Sequence, residues 1–429
     1  MNIKKLIATV LTGASLLVFA GIASATVDTP GYDINIYGSS AQYSFWNTVA
    51  PAFIKAQTGC TSVTPSVATQ GGVNTITYAT CGGNTYHIRV SNKASFDGVY
   101  SMLDNDSYAT AGATGEKCVP GDPNYPSNAS QEGYYRQMVQ TDGTLACEPV
   151  MIGASDVAGE SFTQLSSGSL NGVDSAPGTN LMGRSFNGIS TTSLTHANPF
   201  VVPFAFYVNN QVTQSGSTIS NLTRMEAVLL FSGQILNWNQ LGAHFINLPV
   251  VVCMRHAGSG TLATLDYAVV YGNGWGSQLL QYENRPDYAA EYDPTSVAVY
   301  FGDTTGNEED CVNTNTFGGT AYGAVGYFDA DKIGLNTNHT VNNFANLVQV
   351  SYNGEYASAD AIQNGRYDFW TNEWLYKSPI LTSTQLADVN ALISYATTAA
   401  LPASEVPFWV LQSNMNVEKP NDQTYPNYQ

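Results

Sequence analysis

The stretch that most limits what this chain can fold into is Cys253-Met-Arg255-His256-Ala257-Gly258-Ser259-Gly260-Thr261-Leu-Ala-Thr-Leu-Asp266. The apolar run Leu248-Pro-Val-Val-Val-Cys253 before it reads as a buried strand, and the spacing of Leu262, Leu265 and Val269 after it reads as one helix face. A glycine-rich turn must join the two. Gly258 and Gly260 let the backbone turn sharply and approach a ligand closely, while Ser259 and Thr261 supply capping and hydroxyl donors. Amides at the helix start, with the planar donor fork of Arg255, make a seat for a tetrahedral oxyanion. The plainer reading is a strand-to-helix turn whose arginine pairs with a surface carboxylate. Residues elsewhere in the chain decide between the two.

The N-terminus carries Lys4 and Lys5, an apolar stretch from Leu6 to about Gly21, and Ala23-Ser-Ala25, the three-part pattern of a secretory signal with residues 1–25 as the leader. No cysteine follows the expected cleavage site, so no lipid anchor is expected, and the mature chain belongs in the periplasm or outside the cell. Six cysteines, at 60, 81, 118, 147, 253 and 311, suit an oxidising compartment. Sequential pairing, Cys60 with Cys81, Cys118 with Cys147 and Cys253 with Cys311, closes the shortest loops.

Lys and Arg total 15 against 33 Asp and Glu, and removing Lys4 and Lys5 takes the net charge from -18 to -20. Nucleic acid and anionic membranes are therefore poor partners. A small anion remains possible, because distant surface carboxylates are screened and a closed site is governed by nearby amides and Arg. At 429 residues the chain is too long for one ordinary core, which points to two domains.

Asp33-Ile-Asn-Ile-Tyr37 reads as a strand, Gly38-Ser-Ser40-Ala-Gln42 as a small-residue loop, and Phe45, Val49 and Phe53 as the buried face of a helix ending near Gly59, with Pro51 as a possible kink. Tyr86 to Val90 is a further strand, and Ser95 is placed as the cap of a helix carrying Val99, Met102 and Leu103. Pro149 to Val157 is an apolar strand that stops at Asp156, on the edge where open α/β sheets hold ligands. Pro199 to Val208 reads as a strand covered on both faces and crossing between lobes, and Thr223-x-x-Glu226 as a capping box. Segments near 60–84, 104–147 and 166–197 read as insertions, the second with little regular structure.

Gly38-Ser-Ser-Ala, Gly153-Ala-Ser-Asp156, Asn221 to Gly233 with Trp238, Arg255-His-Ala-Gly-Ser-Gly-Thr261, Gly323-Ala-Val-Gly-Tyr327 and Gln363-Asn-Gly-Arg-Tyr367 follow one another as in PstS-type phosphate-binding proteins of ABC importers. The chain resembles that family over most of its mature length. The resemblance implies an α/β, two-lobed periplasmic-binding fold of type II, each lobe a mixed sheet flanked by helices, with an oxyanion in the interlobe cleft. It places residues 26–200 and 335–429 in lobe 1 and 201–334 in lobe 2. It implies a monomer that binds phosphate without cofactor or metal, hands it to ABC transporter membrane subunits, and is not itself inserted in the membrane.

By position, Arg255, Ser259, Gly260 and Thr261 hold the anion from the second lobe, Asp156 and Ser95 from the first, with Ser40 and Gln42 in the first loop. The chain departs from the family twice: Ala257 stands where an acidic residue usually sits beside the arginine, and Gln42 where the first loop usually offers threonine. Thr69, near Gly71 and Gly72, competes with Ser95. Two other functions compete with capture. A phosphatase-like enzyme on this fold needs a nucleophile, base or metals, and the histidines at 87, 196, 244, 256 and 339 lack metal-ligand spacing. A surface or assembly protein that has kept the fold is the third reading.

Overall fold

The computed structural model describes residues 31–69, 74–107, 117–162, 189–255, 258–270, 298–302, 305–317, 320–333, 341, 344–398 and 407–429. The expected leader, residues 166–188 of the third insertion, and His256 and Ala257 lie outside them.

The partly alternating polarity of Asp33 to Tyr37 becomes strand β1 (Tyr32–Ser39). Helix α1 (Tyr43–Thr58) follows, burying Phe45, Trp46, Val49, Ala50, Phe53 and Ile54. Pro51 lies inside this helix without ending it; several large apolar side chains, each worth about 1.5–3 kcal/mol when buried, outweigh the roughly 3 kcal/mol cost of an interior proline. Strands β2 (Thr64–Thr69), β3 (Asn74–Cys81) and β4 (Asn84–Lys93) come next, then the short helix α2 (Ser95–Tyr100). Ser95 is the first helical residue and Ala94 holds the cap position, so the expected serine cap is displaced by one residue.

The 104–147 segment is more regular than its composition implies, because it holds an antiparallel hairpin, β5 (Tyr135–Val139) with β6 (Leu145–Pro149). Each strand is only five residues long, with a polar turn from Gln140 to Thr144 between them. The Cys118–Cys147 disulfide closes it. Buried Arg136 ties it to α2, donating to Asp97 at 3.0 Å and to the carbonyls of Gly133, Tyr135 and Asn105.

Strand β7 (Ile152–Ser155) lies parallel to β1, and β8 (His196–Ala197) forms the far edge of this sheet. The chain then enters β9 (Phe200–Asn209), every residue of which is buried. Two small strands, β10 (Thr213–Gln214) and β11 (Ser217–Thr218), form a hairpin before β12 (Asn221–Leu222). The Thr223/Glu226 capping box opens α3 (Arg224–Phe231). Next come β13 (Val250–Arg255), α4 (Gly260–Leu265), β14 (Ala298–Gly302), α5 (Thr305–Asn313), the paired β15 (Thr316–Phe317) and β16 (Thr320–Ala321), and β17 (Gly323–Asp329). The chain finishes with β18 (Leu347–Tyr352), α6 (Ala359–Gln363), β19 (Trp370–Asn372), β20 (Trp374–Lys377), α7 (Ser383–Thr398), β21 (Val410–Leu411) and the pair β22 (Val417–Glu418) and β23 (Asn427–Tyr428).

Two mixed sheets result, in an α/β, two-lobed arrangement. The first has the order β2-β3-β4-β1-β7-β20-β8, the second β12-β18-β9-β17-β13-β14, with β19 and β21 against the first half of β9. The sequence division places everything after residue 335 in the first lobe. The structure differs: β18 pairs with β9 and β12 in the second sheet, where Leu347, Val350 and Tyr352 are buried, and the chain returns to the first sheet only at Glu373, between β19 and β20.

Asn198-Pro199 and Glu373 are side-by-side passages between the sheets. An aromatic cluster of Phe45, Phe200 and Trp409, with ring centroids 4.1 to 5.1 Å apart, packs α1 against the start of β9. The C-terminal segment also touches both lobes. Asp422 accepts from the Ala158 amide, Ser161 Oγ and Trp374 Nε1, while Gln423 donates to the Tyr267 hydroxyl and Arg224 to the Tyr425 hydroxyl. Between these anchors Lys419 Nζ donates to the carbonyls of Asp368 and Trp370.

The three cysteine pairs form as expected, and Cys253–Cys311 ties β13 to α5 beside the candidate site. Replacing both Cys253 and Cys311 by Ala should lower the free energy of unfolding by about 2–5 kcal/mol. A urea titration against the parent chain measures this, and an unchanged midpoint would refute it.

Candidate functional site

Three glycines let α2 lie directly on the strand ends. A Cβ on Gly98 would come within 2.2 Å of the Ala154 carbonyl oxygen, one on Gly153 within 2.2 Å of the Gly98 carbonyl oxygen, and one on Gly38 within 2.1 Å of the Ala154 oxygen. This backbone contact brings Ser39 from β1, Ser95 from α2 and Asp156 from the end of β7 to one point. Ser95 Oγ donates to Asp156 Oδ2 at 3.0 Å and Ser39 Oγ donates to Oδ1; the Asp156 carbonyl accepts from Thr371 Oγ1 at 2.6 Å. Asp156 is 2 % exposed.

The second lobe closes over this point. Arg255, at the end of β13, is buried, and its Nη1 donates to Thr305 Oγ1 at 3.0 Å. Thr305 in turn lies 3.3 Å from Ser40 Oγ of the first lobe. The Phe96 amide donates to the Gly258 carbonyl at 3.2 Å. A Cβ on Gly260 would sit 2.5 Å from Ser95 Oγ and 2.8 Å from Asp156 Cβ, and one on Gly258 would strike the Phe96 ring at 2.1 Å. The glycines of the Arg255 loop thus serve close approach between lobes. Ser259 caps α4, its hydroxyl accepting from the Leu262 amide at 3.4 Å, and Thr261 is buried in the first turn.

The electrostatics are dominated by buried acids. Burial pushes Asp156 up, and Glu373 beside it, bonds from Ser39 and Ser95, and the charge of Arg255 hold it partly down. Burial raises Glu373 far more, assisted by Asp156 beside it. Glu308 on α5 is also well above the carboxylate range through burial, although Arg255 and the Tyr327 amide, at 2.9 Å, oppose the shift. Asp329 is pushed up to about 7 by burial, with Lys332 opposing at 3.8 Å. Among the described residues, no group of three or more His, Cys, Asp and Glu is arranged to hold a metal ion.

Of the residues expected from sequence, the structure brings Ser95, Asp156 and Gly260 into contact, sets Arg255 within electrostatic reach of Asp156, and joins Ser40 to Arg255 through Thr305. Gln42 is not part of this cluster. Its Oε1 accepts from Trp46 Nε1 at 2.6 Å, because the carboxamide at the start of α1 is turned into the core to satisfy a buried indole. Thr69 lies on the edge strand β2, three strands from β1. Missed by the sequence reading were Ser39, Thr305, Glu308, Thr371 and Glu373. Ser39 stood within the quoted Gly38-Ser-Ser-Ala motif. The others fall in segments with no motif, and only the fold delivers them. Glu308 supplies an acid beside Arg255 in a chain whose position 257 is Ala.

No family model matches the chain. It aligns at low sequence identity with solved phosphate-binding proteins. Similar structures include an ABC-type phosphate transport receptor from Vibrio cholerae, at 13% identity over 84% of this chain and 93% of that one, TM-score 0.40. Another is the high affinity periplasmic phosphate-binding protein PfluDING bound with phosphate, at 14% identity over 88% of this chain and 89% of that one, TM-score 0.46. A phosphate-binding protein from Stenotrophomonas maltophilia aligns at 11% identity over 84% and 82%, TM-score 0.41. No helix among the described residues is long and apolar enough to cross a membrane.

Two outcomes follow from this geometry. Gly260→Ala should leave the fold intact but prevent full closure, since the added methyl meets Ser95 and Asp156 of the other lobe; small-angle scattering should show a larger radius of gyration than the parent, and an identical radius would refute the closure role. Asp266, one turn beyond, is buried with both carboxyl oxygens unpartnered and is raised from 3.8 to about 7. From about pH 4 to about pH 7 the folded state keeps a proton that the unfolded chain has released, so rising pH removes stability across that window, on the order of 4 kcal/mol in total. Asp266→Asn should therefore gain thermal stability relative to the parent as pH rises through the window and hold that gain above it. A pH-independent difference in melting temperature would exclude this.

Proposed function

We propose that this chain is an extracytoplasmic solute-binding protein that captures inorganic phosphate in the cleft between its lobes and delivers it to the membrane subunits of an ABC importer. The observation that carries the reading is Asp156: a buried carboxyl, flanked by the hydroxyls of Ser39 and Ser95, facing the second lobe where Gly260 presses against it and Arg255 lies within electrostatic reach. Hydroxyls, amides and a guanidinium suit any oxyanion. A carboxylate among them suits only one that still carries a proton. Phosphate keeps at least one near neutral pH and can donate it to Asp156, whereas sulfate is fully ionised and meets repulsion.

In this reading Arg255, Ser259, Gly260 and Thr261 act from the second lobe, and Ser95, Asp156 and Ser39 from the first, with Ser40 reaching the site through Thr305. The order of sequence motifs along the chain supports the same assignment. The disulfides and the leader-like N-terminus support a periplasmic or secreted location, and the protein acts as a monomer without cofactor.

The test is calorimetric titration of the mature chain, unfolded and refolded to strip bound ligand, with phosphate and then sulfate. Saturable one-site phosphate binding with weak sulfate binding is expected. Asp156→Asn should admit sulfate as a competitor, and Arg255→Ala should weaken phosphate binding by about 2–5 kcal/mol, because a desolvated anion is left underpaired. Absence of both heat and thermal stabilisation with either anion would overturn the reading.

A further inference from the structure

We propose that Glu373, at the crossing between the lobes, is a protonated carboxyl that donates to Asp156 and keeps it ionised, making a hinge residue a determinant of anion specificity. The inference rests on the phosphate-capture reading and assigns a role to a residue that reading does not use. Glu373 is 0 % exposed. Its amide donates to the Phe200 carbonyl at 3.0 Å and its own carbonyl accepts from Asn198 Nδ2 at 2.7 Å, so the two crossing passages fix its backbone to each other. Among the described residues neither of its carboxyl oxygens has a hydrogen-bond partner, and the pairing of Trp374 with Ser155 sets its side chain beside Asp156, whose charge it feels.

Two buried carboxyls in such contact cannot both ionise; the pair holds one proton between them. Which of the two carries it follows from their surroundings. Asp156 receives hydroxyls from Ser39 and Ser95 and the field of Arg255, all of which favour its anion. The charged or titratable groups that face Glu373 are Asp156 from β7, Asp329 from the end of β17 and Asp422 from the C-terminal segment, all acids. The neighbouring cations act elsewhere: Arg255 on Asp156, Lys332 on Asp329 and Lys419 on Asp422. The proton therefore resides on Glu373.

The consequence concerns selectivity. With Glu373 donating, Asp156 stays an acceptor and requires a protonated anion. Without that donor, Asp156 loses a charge-assisted bond, takes up a proton itself, and becomes a donor that a fully ionised anion can use. Glu373→Gln keeps an N–H donor and removes the ability to ionise, so it should behave as the protonated parent.

The experiment is titration of the parent, Glu373→Gln and Glu373→Ala with phosphate and sulfate at a series of values from about pH 6 to about pH 9. The preference for phosphate over sulfate should fall about tenfold in Glu373→Ala and stay within about threefold of the parent in Glu373→Gln, the expected scale of one charge-assisted hydrogen bond. The parent should lose phosphate affinity toward the alkaline end more steeply than Glu373→Gln does. Infrared difference spectra should show a phosphate-induced change in the carbonyl stretch of protonated carboxyls in the parent that is smaller in Glu373→Gln, the remainder belonging to Glu308.

An undiminished preference in Glu373→Ala, a Glu373→Gln variant that falls as far as Glu373→Ala, or an infrared change of undiminished size in Glu373→Gln would each overturn the inference while leaving phosphate capture standing. If Glu373→Ala does not fold, the alkaline profile and the infrared change of Glu373→Gln decide the matter. A parent chain that binds neither anion would remove the capture reading, and the inference with it.

Discussion

Withdrawing a carboxyl from water is unfavourable unless donors replace the water, and at Asp156 the donors come from parts of the chain that only the finished fold can assemble. Ser39 arrives from β1 and Ser95 from α2, while Thr371 from β19 holds the backbone carbonyl and Glu373 stands alongside from the β19–β20 junction. Each of these elements is tied down independently. β1 is held between β4 and β7, α2 by glycine contacts and by Arg136, and β19 by pairing with β9. A shift in any of them would leave part of a buried acid unsatisfied, so the position of Asp156 reports on the whole first lobe and on the crossing passages.

Around the crossing, the chain concentrates its aromatic residues. Phe204, Phe206 and Phe369 pack along β9 with Tyr352, and Tyr207 stacks on Phe328 at 3.8 Å. Burial of this kind is non-directional and tolerates small rotations, whereas the polar contacts at Asp156 and Arg255 do not. The division suits a two-lobed protein, with apolar packing holding the lobes together over a range of angles and directional bonds marking the closed one.

The sequence made much of this visible, for identifiable reasons. β9 and β13 are continuous apolar runs, α3 has a full capping box, and the Arg255 loop carries glycines at the positions where backbone meets the other lobe. The sequence left the cysteine pairing open, and the structure forms the sequential pairs that close the shortest loops. What the sequence hid depends on distant contacts. Gln42 gives its oxygen to Trp46, a contact that its place in the loop does not show, and β18 looks like part of the first lobe until its pairing with β9 is known. Glu308 and Glu373 have no local signature because an acid buried beside another acid is recognisable only from the neighbours that three-dimensional structure provides.

The closed approach of Gly258 and Gly260 to Phe96, Ser95 and Asp156 also has a kinetic meaning. In the proposed capture, walls that touch at backbone distance must separate before an enclosed anion leaves. The dissociation rate is then a property of the crossing passages and of the C-terminal segment, whose Asp422 grips one lobe while Gln423 and Tyr425 reach the other. Residence time in such a protein is written into residues that never touch the bound ion.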